Sequence, residues 1–154
     1  MYAANVLLLL FTASLTEAGN EACEKLPPQM ISRVQQLDDH HKRLGLKTSI
    51  DCEAVSRAAQ LAERLWNGGP DEYDSEYCKY SRWFWDPLEV INLFTVQGAA
   101  AYRMPWDKIT QTTKLHPNTG YGCAWVERDR FPGTLYLTVC LYRRKPGETR
   151  CFCN

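Results

Sequence analysis

The chain has 154 residues, with 18 basic and 18 acidic side chains and a formal net charge of zero. That length favours one domain, and the lack of a basic excess argues against a general nucleic-acid binder. Seven cysteines in so short a chain point to an exported, disulfide-stapled protein, because such bridges persist in oxidising compartments.

Residues 1–18 read as a signal peptide. Val6 to Phe11 is a short apolar run, and Thr16-Glu17-Ala18 places small residues at the two positions signal peptidase reads. Polar Thr12, Ser14, Thr16 and Glu17 interrupt the run too early for a membrane span of ~20 residues, and no later segment is apolar enough to cross a bilayer. Cleavage leaves 19–154 as one domain with a short cysteine-containing tail. Cys23, Cys52, Cys78, Cys123, Cys140, Cys151 and Cys153 all lie beyond the cut. Their odd number leaves one thiol without an intramolecular partner, expected at the Cys151–Cys153 pair. The pairing itself is open; the expectation is that Cys78 and Cys123 join separate elements and that Cys140 bridges to the C-terminal pair. There is no Asn-x-Ser/Thr acceptor, so no N-glycan is expected.

A first helix is predicted after Pro27-Pro28, because Met30, Ile31, Val34, Leu37, His41 and Leu44 recur at helical spacing, and Gly45 is its C-cap. A second helix follows Ser49, taken as N-cap. Cys52, Val55, Ala58, Ala59, Ala62, Leu65 and Trp66 form its apolar stripe, with Asn67-Gly68-Gly69-Pro70 as the stop. The acidic stretch Asp71 to Glu76 reads as a solvated loop. The aromatic cluster Tyr77, Tyr80, Trp83, Phe84 and Trp85 is assigned to a helix from about Ser81 to Asn92, disturbed by Pro87. Phe94 to Tyr102 is ambiguous between helix and loop. Gly120 to Glu127 and Leu135 to Tyr142 read as strands joined by a turn over Arg128 to Gly133. Both faces of the second strand are apolar, as in a strand covered on two sides. The fold class is therefore α+β.

The motifs Leu37-Asp38-Asp39-His40-His41, Asp51-Cys52-Glu53 before an alanine-rich helix, Trp83-Phe84-Trp85, Thr110-Gln111, Gly122-Cys123-Ala124 and Val139-Cys140-Leu141-Tyr142 occur in this order. Together they resemble the CAP superfamily of cysteine-rich secretory, antigen-5 and pathogenesis-related-1 proteins. They are most similar to the activation-associated secreted proteins of nematodes. The resemblance runs from about Met30 to Tyr142. It implies an α-β-α sandwich around a central antiparallel sheet, with a cavity holding two histidines and two acidic residues able to bind a divalent metal. This chain departs from that pattern. Lys108 stands where one histidine belongs, residues 67–80 contain no histidine, and the Gly-Glu-Asn stretch that supplies an acid has no counterpart. Asp86 or Glu89 remains as the last acidic member.

Zinc takes about four N, S or O ligands in tight geometry. His40 and His41 are adjacent on a helix and point apart. His41 falls on the apolar stripe and reads as a core histidine. His116, in Leu115-His116-Pro117-Asn118, reads as a solvated loop residue. No cofactor or stoichiometric metal is expected. A Ser or Cys nucleophile would need a neighbouring base, and no Gly-x-Ser-x-Gly elbow is present; the cysteines read as bridge partners. Arg143-Arg144-Lys145 reads as a solvated turn. The chain is thus expected to be a secreted, extracellular, non-enzymatic protein that acts by binding protein or cell-surface targets. The nematode resemblance implies host targets and immune modulation. The alternative is an extracellular sterol or fatty-acid carrier using the aromatic cluster. Loops 67–80 and 112–119 are the expected contact surfaces.

Overall fold

A computed structural model of the chain describes residues 23–72, 74–86, 106–130 and 133–151. The signal segment, Glu89, the stretch from Phe94 to Tyr102, the turn tip Phe131-Pro132 and Cys153 lie outside the described residues.

Helix α1 spans Pro28–Arg43. Proline at its first position is favourable, since that N–H has no helical partner. The predicted stripe delivers Val34, Leu37 and His41 to the interior together with Asp38, whereas Leu44 lies past the last turn and is half exposed. Gly45 closes the helix at φ +76°, a left-handed conformation that glycine adopts without strain.

Ser49–Ile50 form a short strand, β1, not a helix cap. Asp51 is the N-cap of helix α2, Cys52–Trp66, and its Oδ1 accepts from the Ala54 N–H at 3.1 Å. Ser49 loses that role because it pairs with Gly120, which carries the chain two residues further before it can turn into the helix. Asp74 Oδ1 accepts from the backbone N–H groups of Glu76 and Tyr77, and this turn launches β2, Tyr77–Asp86.

The helix expected from about Ser81 to Asn92 is corrected over Ser81 to Asp86, which continue β2 in antiparallel register with β4, Tyr80 opposite Cys140 and Trp83 opposite Leu137; residues 87–92 lie outside the described residues. The aromatic residues suit a pleated, half-buried surface, and ten paired residues outweigh an isolated helical turn. Residues 106–115 form a third helix, α3 (Trp106–Leu115), so residues 112–115 are not loop. Strands β3 (Gly120–Arg130) and β4 (Gly133–Arg143) make a longer hairpin than expected.

The sheet has strand order β1-β3-β4-β2. Its long strands pair antiparallel, but β1 runs parallel to β3, so the expected antiparallel sheet is a mixed one. The architecture is α+β. Strand alternation sorts the core into two clusters. Ala54, Ala58 and Ala62 of α2 pack with Ala124, Val126, Leu137, Val139 and Leu141. Leu37 of α1 and Ile109 of α3 pack with Tyr80, Tyr121, Cys123, Cys140 and Tyr142, the residues that alternate with the first set. Neighbouring strand residues point to opposite faces, which explains why both sides of β4 are apolar.

Three disulfides staple these elements: Cys23–Cys52, Cys78–Cys151 and Cys123–Cys140. The expected bridge from Cys140 to the C-terminal pair is overturned. Cys123 and Cys140 are directly opposed across β3 and β4, and the tail returns instead to Cys78 on β2.

Candidate functional site

The Thr110-Gln111 motif finds its role inside the molecule. Helix α3 turns Thr110 inward and leaves Gln111 exposed. Thr110 Oγ1 lies 3.2 Å from His41 Nε2, and Tyr121 Oη lies 3.2 Å from His41 Nδ1. All three side chains are buried. Burial lowers the His41 pKa to about 4, with the neighbouring His40 adding to the effect and Asp38 opposing it. His41 is thus neutral near pH 7. Burial, then the Asp38 carboxylate, pushes the Tyr121 phenol far up, so Tyr121 keeps its proton and shares it with Asp38. Neutral His41 carries one ring N–H, so it donates to one of Tyr121 and Thr110 and accepts from the other. Asp38 also accepts from Thr48 Oγ1 at 2.7 Å and pairs with Lys42 at 2.7 Å.

A second buried chain lies beside it. Thr113 Oγ1 donates to the Ile109 carbonyl at 2.8 Å and lies 3.1 Å from the Tyr142 hydroxyl, which reaches the same carbonyl at 3.4 Å. Tyr142 stacks on Tyr121 on one side and on His116 on the other. His116 is only 2% exposed, so its reading as a solvated loop residue is corrected. A loop position does not guarantee solvent access: the Thr119 hydroxyl donates to the His116 carbonyl and fastens the loop onto the sheet.

These contacts bear on the divalent-metal centre that the family resemblance implies. The residues do not fit it. Lys108 is an exposed cation on α3, and both ring nitrogens of His41 are engaged. Asp86 closes β2 opposite Thr134, and Glu89 lies outside the described residues. Gly122, the other half of the motif, has a packing role: a Cβ there would meet Val55 N at 2.2 Å. Only glycine lets α2 approach β3 this closely.

Charged residues form a further network at the start of α2. Arg143 donates through Nε to Asp51 at 2.7 Å, and through Nη2 to Glu53 at 3.2 Å and to Tyr77 Oη at 2.6 Å. Arg57 pairs with Glu53, Asp74 and Glu76, and both arginines lie over the Tyr77 ring. Burial first, then the carboxylates of Asp51 and Glu53, push the Tyr77 pKa up to about 12 against the opposing arginines. Arg144 donates to the Tyr77 and Asp74 carbonyls. Arg143 and Arg144 therefore clamp α2, β2 and the turn before it, while Arg143 and Lys145 remain exposed as the solvated-turn reading expects. The acids of the 71–76 loop are likewise paired, Asp71 with Lys79 and Glu72 with Arg64. Tyr77, Cys78 and Tyr80 are buried in β2, which removes these three residues, though not Lys79, from the expected contact surface.

A groove among the described residues lies elsewhere. Because β1 covers only Gly120 and Tyr121, no strand among the described residues pairs with the outer edge of β3 beyond that point. A groove of about 650 Å³ runs along this edge, between the start of α1 and the end of α2. Met30, Trp125 and Val126 give it an apolar lining, and Arg33–Glu127 and Glu63–Arg128 ion pairs cross its rim. Neither loop singled out from the sequence contributes to it. A two-residue β1 beside an eleven-residue β3 is the feature that leaves it open, and no local motif announces that mismatch.

No protein-family model, curated protein or solved structure matches this chain.

Proposed function

We propose that this chain is a secreted, non-enzymatic protein that acts by binding a protein target along the open edge of β3. The groove beside Trp125 is the observation that carries this reading. An unpaired strand edge offers backbone donors and acceptors to an extended segment, and the apolar lining with alternating charge at the rim suits a peptide better than a bare hydrocarbon chain. Three disulfides and the lack, among the described residues, of a helix long and apolar enough to cross a membrane support export. The CAP-like reading, with host proteins or cell surfaces as targets and immune modulation as the outcome, rests on the motif order and on an alanine-rich helix packed against a β-hairpin. The test is affinity capture from serum and cell-surface extracts with the wild type and Met30→Glu. A target held by the wild type and lost with the variant supports the groove. Equal capture by both, or none above control, sinks it.

Sterol or fatty-acid carriage is the second reading. Trp106 Nε1, Trp125 Nε1 and Thr138 Oγ1 are buried without a hydrogen-bond partner among the described residues. A lipid hydroxyl or carboxylate could satisfy such groups, each of which otherwise costs about 1–3 kcal/mol. Native mass spectrometry that finds no bound lipid, with no uptake of labelled sterol, removes this reading.

A further inference from the structure

Among the described residues, one cluster of metal-type ligands stands out: Cys78, His116 and Glu148, whose ligand atoms all lie within 4.8 Å of one another. Three separate elements bring them together, namely β2, the loop after α3, and the tail beyond β4. Cys78 and His116 are buried. Glu148 is held in the tail by a turn in which Oε2 accepts from the Lys145 N–H at 3.1 Å. In the oxidised protein the Cys78 sulfur is committed to Cys151, and a disulfide sulfur is a poor zinc ligand beside a thiolate. Cys151 Sγ is bonded to the Cys78 sulfur at the edge of the cluster, outside the 4.8 Å grouping itself.

We propose that reduction of the Cys78–Cys151 bridge turns this cluster into a four-ligand site for Zn²⁺, with Cys78, Cys151, His116 and Glu148 as its ligands. A Cys₂HisGlu set provides the S, N and O donors that zinc takes in closed tetrahedral sites. Zinc–ligand bonds of about 2.0–2.3 Å place tetrahedral donors roughly 3.3–3.8 Å apart, so Cys78, His116 and Glu148 need close by no more than about 1.5 Å, and Cys151 joins them by movement of the tail. Opening the bridge frees the sulfurs to separate to that spacing, and the exposed Cys151 end of the tail can follow the ion. The chemistry balances. A water-soluble phosphine is oxidised to its oxide with oxygen from one water, and the disulfide becomes two thiols. Zinc then displaces two protons as the thiolates bind it. The ion thereby replaces the covalent staple between β2 and the tail, holding the same ends together in a reducing environment. This site is independent of the groove on β3.

The test titrates Co²⁺, then Zn²⁺, into the full chain before and after phosphine reduction under inert gas. A Cys23→Ser/Cys52→Ser/Cys153→Ser background leaves only the Cys78–Cys151 bridge and the buried Cys123–Cys140 bridge. The expected result is no binding when oxidised and one Co²⁺ per chain when reduced. Its spectrum should be tetrahedral, with charge-transfer intensity for two thiolates, and Zn²⁺ should displace it. Glu148→Gln and His116→Ala should each weaken binding at least about tenfold. If the serine background does not fold, the wild type and Glu148→Gln are compared directly. No binding after reduction, or binding unchanged in both ligand variants, overturns the proposal.

Discussion

Replacing Gly122 with alanine should be among the most damaging single-methyl changes in this chain. The new Cβ would stand 2.2 Å from Val55 N, 2.6 Å from Ala54 C and 2.7 Å from Val55 Cα, all backbone atoms of α2. Unstrained contacts of this kind lie near 3.5 Å, so α2 must retreat by about 1.3 Å. Such a gap forfeits up to half the dispersion well at each contact that Ala54, Ala58 and Ala62 make with β3 and β4. Ordinary overpacking costs about 1–3 kcal/mol. A rigid helix backbone cannot rotate aside as a side chain can, so Gly122→Ala is expected to cost about 3–5 kcal/mol, at or above the top of that range. At roughly 3 °C per kcal/mol for a chain of this size, Tm should fall by about 9–15 °C. Gly45→Ala is the control. It has φ +76° and open space around it, so it should lose only the ~1–2 kcal/mol of left-handed strain. Urea unfolding and thermal melts of the two variants beside the wild type make the measurement. A Gly122→Ala protein as stable as Gly45→Ala, with unchanged near-ultraviolet circular dichroism, would refute the close-approach argument.

Three further outcomes are expected. His41 titrates near 4 when folded and near 6.5 when unfolded, so the unfolded chain binds more protons between those values. Stability should therefore fall as pH drops from about 6.5 towards 4, by roughly 3 kcal/mol for this group. A His41→Gln protein whose urea midpoint keeps the wild-type pH slope over that window would contradict it. Asp51→Ala loses both the helix cap and the Arg143 pair and should cost about 2 kcal/mol, whereas Asp51→Asn retains the Oδ1 cap and should cost about half as much; equal losses in denaturant unfolding would show that the cap contributes nothing. Graded reduction followed by thiol labelling and peptide mapping should open Cys78–Cys151 before Cys123–Cys140, because Cys151 is exposed and both members of the second bridge are buried. Labelling of Cys123 first would reverse that order.

Much of the frame was legible along the chain. The helical spacing from Val34 to His41, the alanine stripe of α2 and the two-sided apolar β4 each report a local period that survives folding, because one face of each element must be buried whatever it packs against. Where several structures compete for the same residues, the period is silent. Tyr77 to Asp86 carries enough aromatic surface for helix or strand, and only the ladder offered by β4 decides it. His116 follows the same logic, since a loop residue becomes a core residue when Tyr142 supplies a ring to stack on.

The amino-acid order by itself determined the α+β class, the interior place of His41 and the need for disulfides, since these follow from periodicity, side-chain type and cysteine number. The tertiary structure alone decided which cysteines meet, that Arg143 clamps Asp51 and Tyr77, and that β3 keeps an open edge. These depend on distances between residues far apart in the chain, 92 positions for Arg143 and Asp51. Strand register sets such distances, and register is a cooperative property of the whole sheet.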